Sequence, residues 1–120
     1  MKFIFTTVQV KDLEQSIQFY EDIIGLKLMK RFPAGPNAEI AFLADGPAEL
    51  ELICNKNETP SEYGQFPSLG FEVDDLDAAL EEIKAKGIDI VSGPIQPNPK
   101  TRFFFIQDPN GLPLEIIEQK

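Results

Sequence analysis

A chain of 120 residues has the length of one compact domain or of two small modules sharing a core, and at that size folding buries about two thirds of the surface the unfolded chain exposes. Twenty acidic residues against eleven basic ones leave a net charge of −9, which argues against nucleic acid or a membrane surface as partner, since both reward clusters of Lys and Arg. There is no histidine and a single cysteine, Cys54, so an internal disulfide is excluded and a cysteine nucleophile would lack an imidazole base.

The opening MKFIFTTVQV is too short and too alternating for a signal peptide or a membrane span, and a cytoplasmic protein is expected. From Phe3 to Val10, Ile4, Thr6, Val8 and Val10 alternate with Phe5, Thr7 and Gln9. That period of two predicts a half-buried strand with the first set toward the core. Asp12 can cap a helix, with Gln15 at the capping-box position and Leu13, Ile17, Tyr20 and Ile24 at helical spacing. Gly25 supplies the positive φ that ends it. Strands are predicted over Leu26 to Phe32, Glu39 to Leu43 and Ala48 to Cys54, separated by the turns PAGPN and ADGP. The first half therefore reads β-α-β-β-β.

Residues 55–66 are polar and rich in turn formers, which suits a linker between a module at 1–54 and another at 67–120. The pattern then restarts. Val8 to Leu13 aligns with Phe71 to Leu76 at an offset of 63, strand on strand and cap on cap. Leu76, Ala79, Leu80 and Ile83 make the apolar face of a second helix, with acids in its first turn, Lys84 and Lys86 in its last, and Gly87 after it. Strands over Ile88 to Val91, Arg102 to Gln107 and Leu112 to Glu118 complete a second β-α-β-β-β unit. The expected fold is α+β: tandem β-α-β-β-β modules forming a curved mixed sheet, with helices on the outer face and a trough on the other.

Strand alternation says what lines the trough. In Ala48–Ile53 and Leu112–Ile117 the motif apolar-Glu-apolar recurs, so Glu51 and Glu115 correspond 64 residues apart. With Leu50, Leu52, Leu114 and Ile116 under the helices, Glu49, Glu51, Pro113, Glu115 and Ile117 turn the other way. By the same parity Phe5, Thr7 and Gln9 face the trough in the first module, and Ser68, Gly70 and Glu72 in the second. Polar residues on the outer side of a half-buried strand need no functional reason, but two carboxylates at repeat-related positions are harder to dismiss.

The segments VKDLEQSIQFYEDIIGLKL, VDDLDAALEEIKAKG and DPNGLPLEI, within paired β-α-β-β-β modules, resemble the vicinal oxygen chelate superfamily over essentially the whole chain. That group includes glyoxalase I, bleomycin-resistance proteins, methylmalonyl-CoA epimerase and extradiol dioxygenases. The resemblance implies a divalent metal held by side chains of the first and last strands of each module, at positions matching Phe5, Glu51, Ser68 and Glu115. Phe cannot coordinate and a neutral Ser hydroxyl is a poor ligand, so no cofactor is expected; any divalent metal would rest on Glu51 and Glu115. A dioxygenase, whose iron needs two histidines, is not expected.

Arg102-Phe103-Phe104-Phe105-Ile106 is apolar on both faces, so either Phe103 and Phe105 or Phe104 and Ile106 must be covered by something other than the helices. Phe5, Tyr63 and Phe66 would extend a hydrophobic pocket, and Arg102 is a cation within sequence reach of the carboxylate pair. The expected ligand-binding set is Phe5, Thr7, Glu51, Ser68, Arg102, Phe103, Phe105 and Glu115. The first functional reading is a homodimeric glyoxalase/bleomycin-resistance-like protein that binds a small molecule without the usual metal centre. The second is a lyase or isomerase resembling glyoxalase I, with Glu51 and Glu115 catalytic around a weakly held metal. A third is a ligand-free assembly module.

Overall fold

Both helices begin where an aspartate meets the free backbone N–H groups of a first turn. The computed structural model, which describes residues 1–60 and 67–120, has Asp12 accepting from Gln15 N at 3.0 Å and Asp75 from Ala78 N at 3.1 Å, each with extended backbone at the cap. The first helix, α1 (Leu13–Phe19), runs on into a wider turn over Tyr20–Ile24, where Gly25 N bonds Tyr20 O five residues back at 3.0 Å. Gly25 closes it with φ of 92°, the left-handed conformation expected of it. The second helix, α2, spans Leu76–Ala85.

The strands are β1 (Phe5–Gln9), β2 (Lys27–Pro33), β3 (Ala38–Ala44), β4 (Glu49–Asn55), β5 (Leu69–Glu72), β6 (Ser92–Asn98), β7 (Thr101–Gln107) and β8 (Pro113–Gln119). The order is β-α-β-β-β twice, as the repeat requires. The strands hydrogen-bond into two four-stranded mixed sheets, β1-β4-β3-β2 and β5-β8-β7-β6. In each the first strand pairs parallel with the last, and the remaining pairs are antiparallel. The chain divides accordingly into two compact units, Met1–Glu62 and Tyr63–Lys120.

Each core lies between a helix and one face of its own sheet. In the first unit Val8, Leu43, Leu50 and Leu52 pack with Leu13 and Ile17 of α1; in the second Phe104, Ile106, Leu114 and Ile116 pack with Leu76 and Ile83 of α2. Full burial of side chains of this kind contributes about 1.5–3 kcal/mol each, so parity along the strands is strongly enforced.

Two strand expectations are corrected. Ile88 to Val91 precedes a strand instead of forming one, and β6 begins at Ser92 and carries Pro94 and Pro97. It lies at the edge of its sheet with an interrupted register, where a missing backbone donor is tolerated. At the other end of the chain β1 starts at Phe5, leaving Ile4 about half exposed and outside the core set.

Candidate ligand-binding site

In the first unit the register aligns Thr7 with Glu51, Glu51 with Phe42 and Phe42 with Lys30, a row of four side chains on the face turned away from α1. Thr7 Oγ1 donates to Glu51 Oε1 at 2.5 Å. The Phe42 ring is buried beneath its neighbours: Phe5 meets it edge-on with centroids 5.7 Å apart, Phe32 stacks at 6.2 Å, and Lys30 Nζ sits 4.5 Å from its centroid.

The second unit repeats the row with different chemistry. Gly70 aligns with Glu115, Glu115 with Phe105 and Phe105 with Ser92. Phe104 and Ile106 are fully buried on the helix side, so the pair facing the other way is Phe103 and Phe105, in edge contact at 5.8 Å. Ser68, Ser92, Phe105, Gln107 and Pro113 wall a recess of about 440 Å³.

Within each unit the structure thus gathers expected residues on one face: Phe5, Thr7 and Glu51 in the first, Ser68, Phe103, Phe105 and Glu115 in the second. Arg102 is a correction. It shares strand parity with Phe104 and turns to the helix side, where Nη2 pairs with Asp77 Oδ1 at 2.9 Å and Nη1 reaches Oδ2 at 3.3 Å. That fork raises the arginine pKa and lowers that of Asp77 through the shared hydrogen bonds. Tyr63 and Phe66, expected to extend the pocket, lie outside the described residues.

Sequence reasoning missed Phe42 and Lys30. Phe42 had a usable signal, since it stands 63 residues before Phe105, the same offset that relates the caps. It also missed Glu118, which is buried on the helix side of β8 and accepts from Leu76 N at 2.7 Å. That backbone bond is the main cause holding its carboxyl below the ordinary value.

Another recess of about 430 Å³ lies on the helix side of the first unit, walled by Lys11, Asp12, Arg31, Glu39, Cys54 and Lys56. Its central cation is consumed internally: Arg31 bonds Glu39 at 2.8 Å and Glu14 at 2.7 Å, which raises its pKa further. Cys54 Sγ donates to Lys11 O at 3.4 Å. None of the residues expected to bind ligand lines this recess.

The metal set implied by the resemblance fits poorly. Phe5 offers a hydrocarbon ring already packed against Phe42, and Glu51 is engaged by the Thr7 hydroxyl. Ser68 is exposed at the recess wall with a neutral hydroxyl. Among the described residues no three His, Cys, Asp or Glu side chains cluster as a metal would require.

The profile of the Glyoxalase/Bleomycin resistance protein/Dioxygenase superfamily matches residues 2–116. A lactoylglutathione lyase of Haemophilus influenzae is 33% identical over an alignment covering all of this chain and 94% of that protein. Among solved structures, SMU.1112c superposes with a TM-score of 0.82 at 26% identity, covering 98% of both chains. The glyoxalase I of Leishmania major reaches 0.82 at 21% identity over 98% of this chain and 86% of its own, a likeness of fold.

Proposed function

The chain belongs to the Glyoxalase/Bleomycin resistance protein/Dioxygenase superfamily, and from that premise we propose that this glyoxalase-like protein binds a small molecule on its carboxylate–phenyl faces without the His/Glu metal centre of the metal-dependent members. The observation that carries the reading is the Phe5 ring edge-on to Phe42, occupying a ligand position with hydrocarbon beside a carboxylate already bonded to Thr7. Phe5 and Phe32, exposed around the buried Phe42 ring, supply an apolar surface for a planar body, and Glu51 retains acceptor capacity, since a carboxylate offers about four lone-pair sites. Glu115 beside Phe105 supplies the same pairing in the second unit.

A second reading is favoured by the full-length 33% identity to a lactoylglutathione lyase: a lyase or isomerase in which Glu51 or Glu115 is the general base, any divalent metal resting on that pair. Among the described residues no helix is long and apolar enough to cross a membrane. A homodimer in the cytoplasm belongs to the proposal. Exposed Phe5, Met29 and Phe32 on one unit support a partner surface.

The test is elemental analysis of protein purified without chelator, paired with thermal shifts against Ni²⁺, Zn²⁺, Mn²⁺ and Mg²⁺ and with turnover of the hemithioacetal of glutathione and methylglyoxal. The first reading expects substoichiometric metal, shifts under about 1 °C and no turnover. Stoichiometric metal and activity, both lost in Glu115→Gln, would establish the second in its place.

A further inference from the structure

Lys30 is the one side chain of the four-residue row whose charge is opposite to that of the protein. It projects from edge strand β2 on the same face as Glu51, with its ammonium over the Phe42 ring. Several other cations of the chain meet carboxylates. Arg31 lies between Glu14 and Glu39, Arg102 forks onto Asp77, and Lys86 and Lys120 have Glu82 and Glu118. Lys30 pairs with no carboxylate among the described residues, in a protein with nine more acids than bases. A ring face attracts an ammonium without using its three N–H donors in hydrogen bonds, so the group is held in place yet remains able to donate.

From this juxtaposition we propose that Lys30 is a specificity-determining residue that selects ligands carrying an anionic group next to a planar or aromatic body. The inference rests on the preceding proposal that a small molecule lies on this face. Glu51 on β4 and Lys30 on β2 are separated by two strand spacings, about 10 Å, with the Phe42 ring between them. A ligand matching the row has a carboxylate at the Lys30 end, one ring over the phenyl cluster, and a hydrogen-bond donor at the Glu51–Thr7 end. The second unit has Ser92 at the equivalent place in its row, so its own face supplies no ammonium there. The anionic end of the ligand is therefore assigned to the first unit.

Isothermal titration with 3-(4-hydroxyphenyl)propionate and with its neutral primary amide tests the assignment. The acid is expected to bind the wild type at least tenfold tighter than the amide, with that preference shrinking at high salt. Lys30→Gln should weaken the acid at least tenfold and leave the amide within twofold. Lys30→Arg should keep most of the preference, and Lys27→Gln, which removes an exposed charge from the same strand, should keep all of it. Equal binding of the two probes, or equal weakening of both in Lys30→Gln, overturns the role of Lys30 while leaving ligand binding on this face intact. If neither probe binds the wild type at millimolar concentration, the inference and the face reading both fall for this ligand class.

Discussion

Gly25 and Gly93 form a matched pair for measuring how tightly an edge strand is built against the site. Both have positive φ, 92° and 98°, so alanine at either meets the same left-handed penalty of about 1–2 kcal/mol. They differ in the space available. A Cβ at Gly25 would meet nothing within 4 Å, whereas at Gly93 it would lie 2.9 Å from Phe103 O, 3.0 Å from Phe104 Cα and 3.1 Å from Phe104 Cβ. Those atoms cannot easily retreat, because Phe104 is fully buried beneath α2. Overpacking of this kind adds about 1–3 kcal/mol. At this length each kcal/mol lowers the melting temperature by about 4 °C, so Gly25→Ala should melt roughly 4–8 °C below wild type and Gly93→Ala roughly 8–20 °C below. Thermal unfolding by circular dichroism, checked by urea titration, reads both. A Gly93→Ala melting temperature equal to or above that of Gly25→Ala would refute the close approach of β6 to β7. Since Ser92 and Phe105 wall the recess in the second unit, Gly93→Ala should also disturb that recess, and Gly25→Ala should not.

Removing the carboxylate caps by Asp12→Ala and Asp75→Ala should each cost about 1 kcal/mol, measured as a shift in the urea midpoint at constant slope. Acid should destabilise the protein through Glu118 and Asp77, whose folded pKa values lie below their ordinary ones. For depressed carboxylates the stabilisation is complete above the unfolded values, about 4.3 for Glu and 3.9 for Asp, and is lost as pH falls through the lower folded values. Urea midpoints should therefore drop below about pH 4, with Glu118→Gln flattening the profile more than Asp77→Asn, because the exposed Asp77–Arg102 pair is screened by solvent. An unchanged profile in Glu118→Gln would remove Glu118 from the account.

Where one strand face packs under a helix, sequence alternation was enough to orient the side chains. Leu50 and Leu52 are buried while Glu51 is half-buried, and Leu114, Glu115 and Ile116 repeat the pattern, because a one-residue slip would bury the carboxylates and expose the leucines. Alternation was silent over Arg102–Ile106, where both faces are apolar. Expecting Arg102 and Phe103 on the same face overlooked that adjacent residues of a strand point in opposite directions. The register with β8 decides the matter: Phe105 aligns with Glu115, so Arg102 joins Glu118 on the helix side. Glu118 was illegible for another reason. Its partner is a backbone N–H 42 residues away, and only tertiary folding brings the last strand under the start of α2. The strand expected over Ile88 to Val91 failed because hydrophobicity pointed one way and edge position another. The ladder needs backbone donors, and at an edge it can do without those that Pro94 and Pro97 lack.

The two rows also show which part of the repeat is structural and which part can carry selectivity. Glu51 beside Phe42 and Glu115 beside Phe105 are pairs of the same type at matching places in their sheets. A feature kept in both units is explained as readily by shared strand architecture as by binding, since a phenyl beside a half-buried carboxylate suits the middle of either sheet. The flanks differ. Thr7 bonds its glutamate where the second unit has Gly70, and Lys30 covers its phenyl where the second unit has Ser92. Common architecture cannot account for those differences, so discrimination between ligands is better sought at Thr7 and Lys30 than at the glutamates. On this argument Glu51→Gln should weaken acid and amide probes alike, Glu115→Gln in the second unit should leave both unchanged, and Lys30 substitutions should change their ratio.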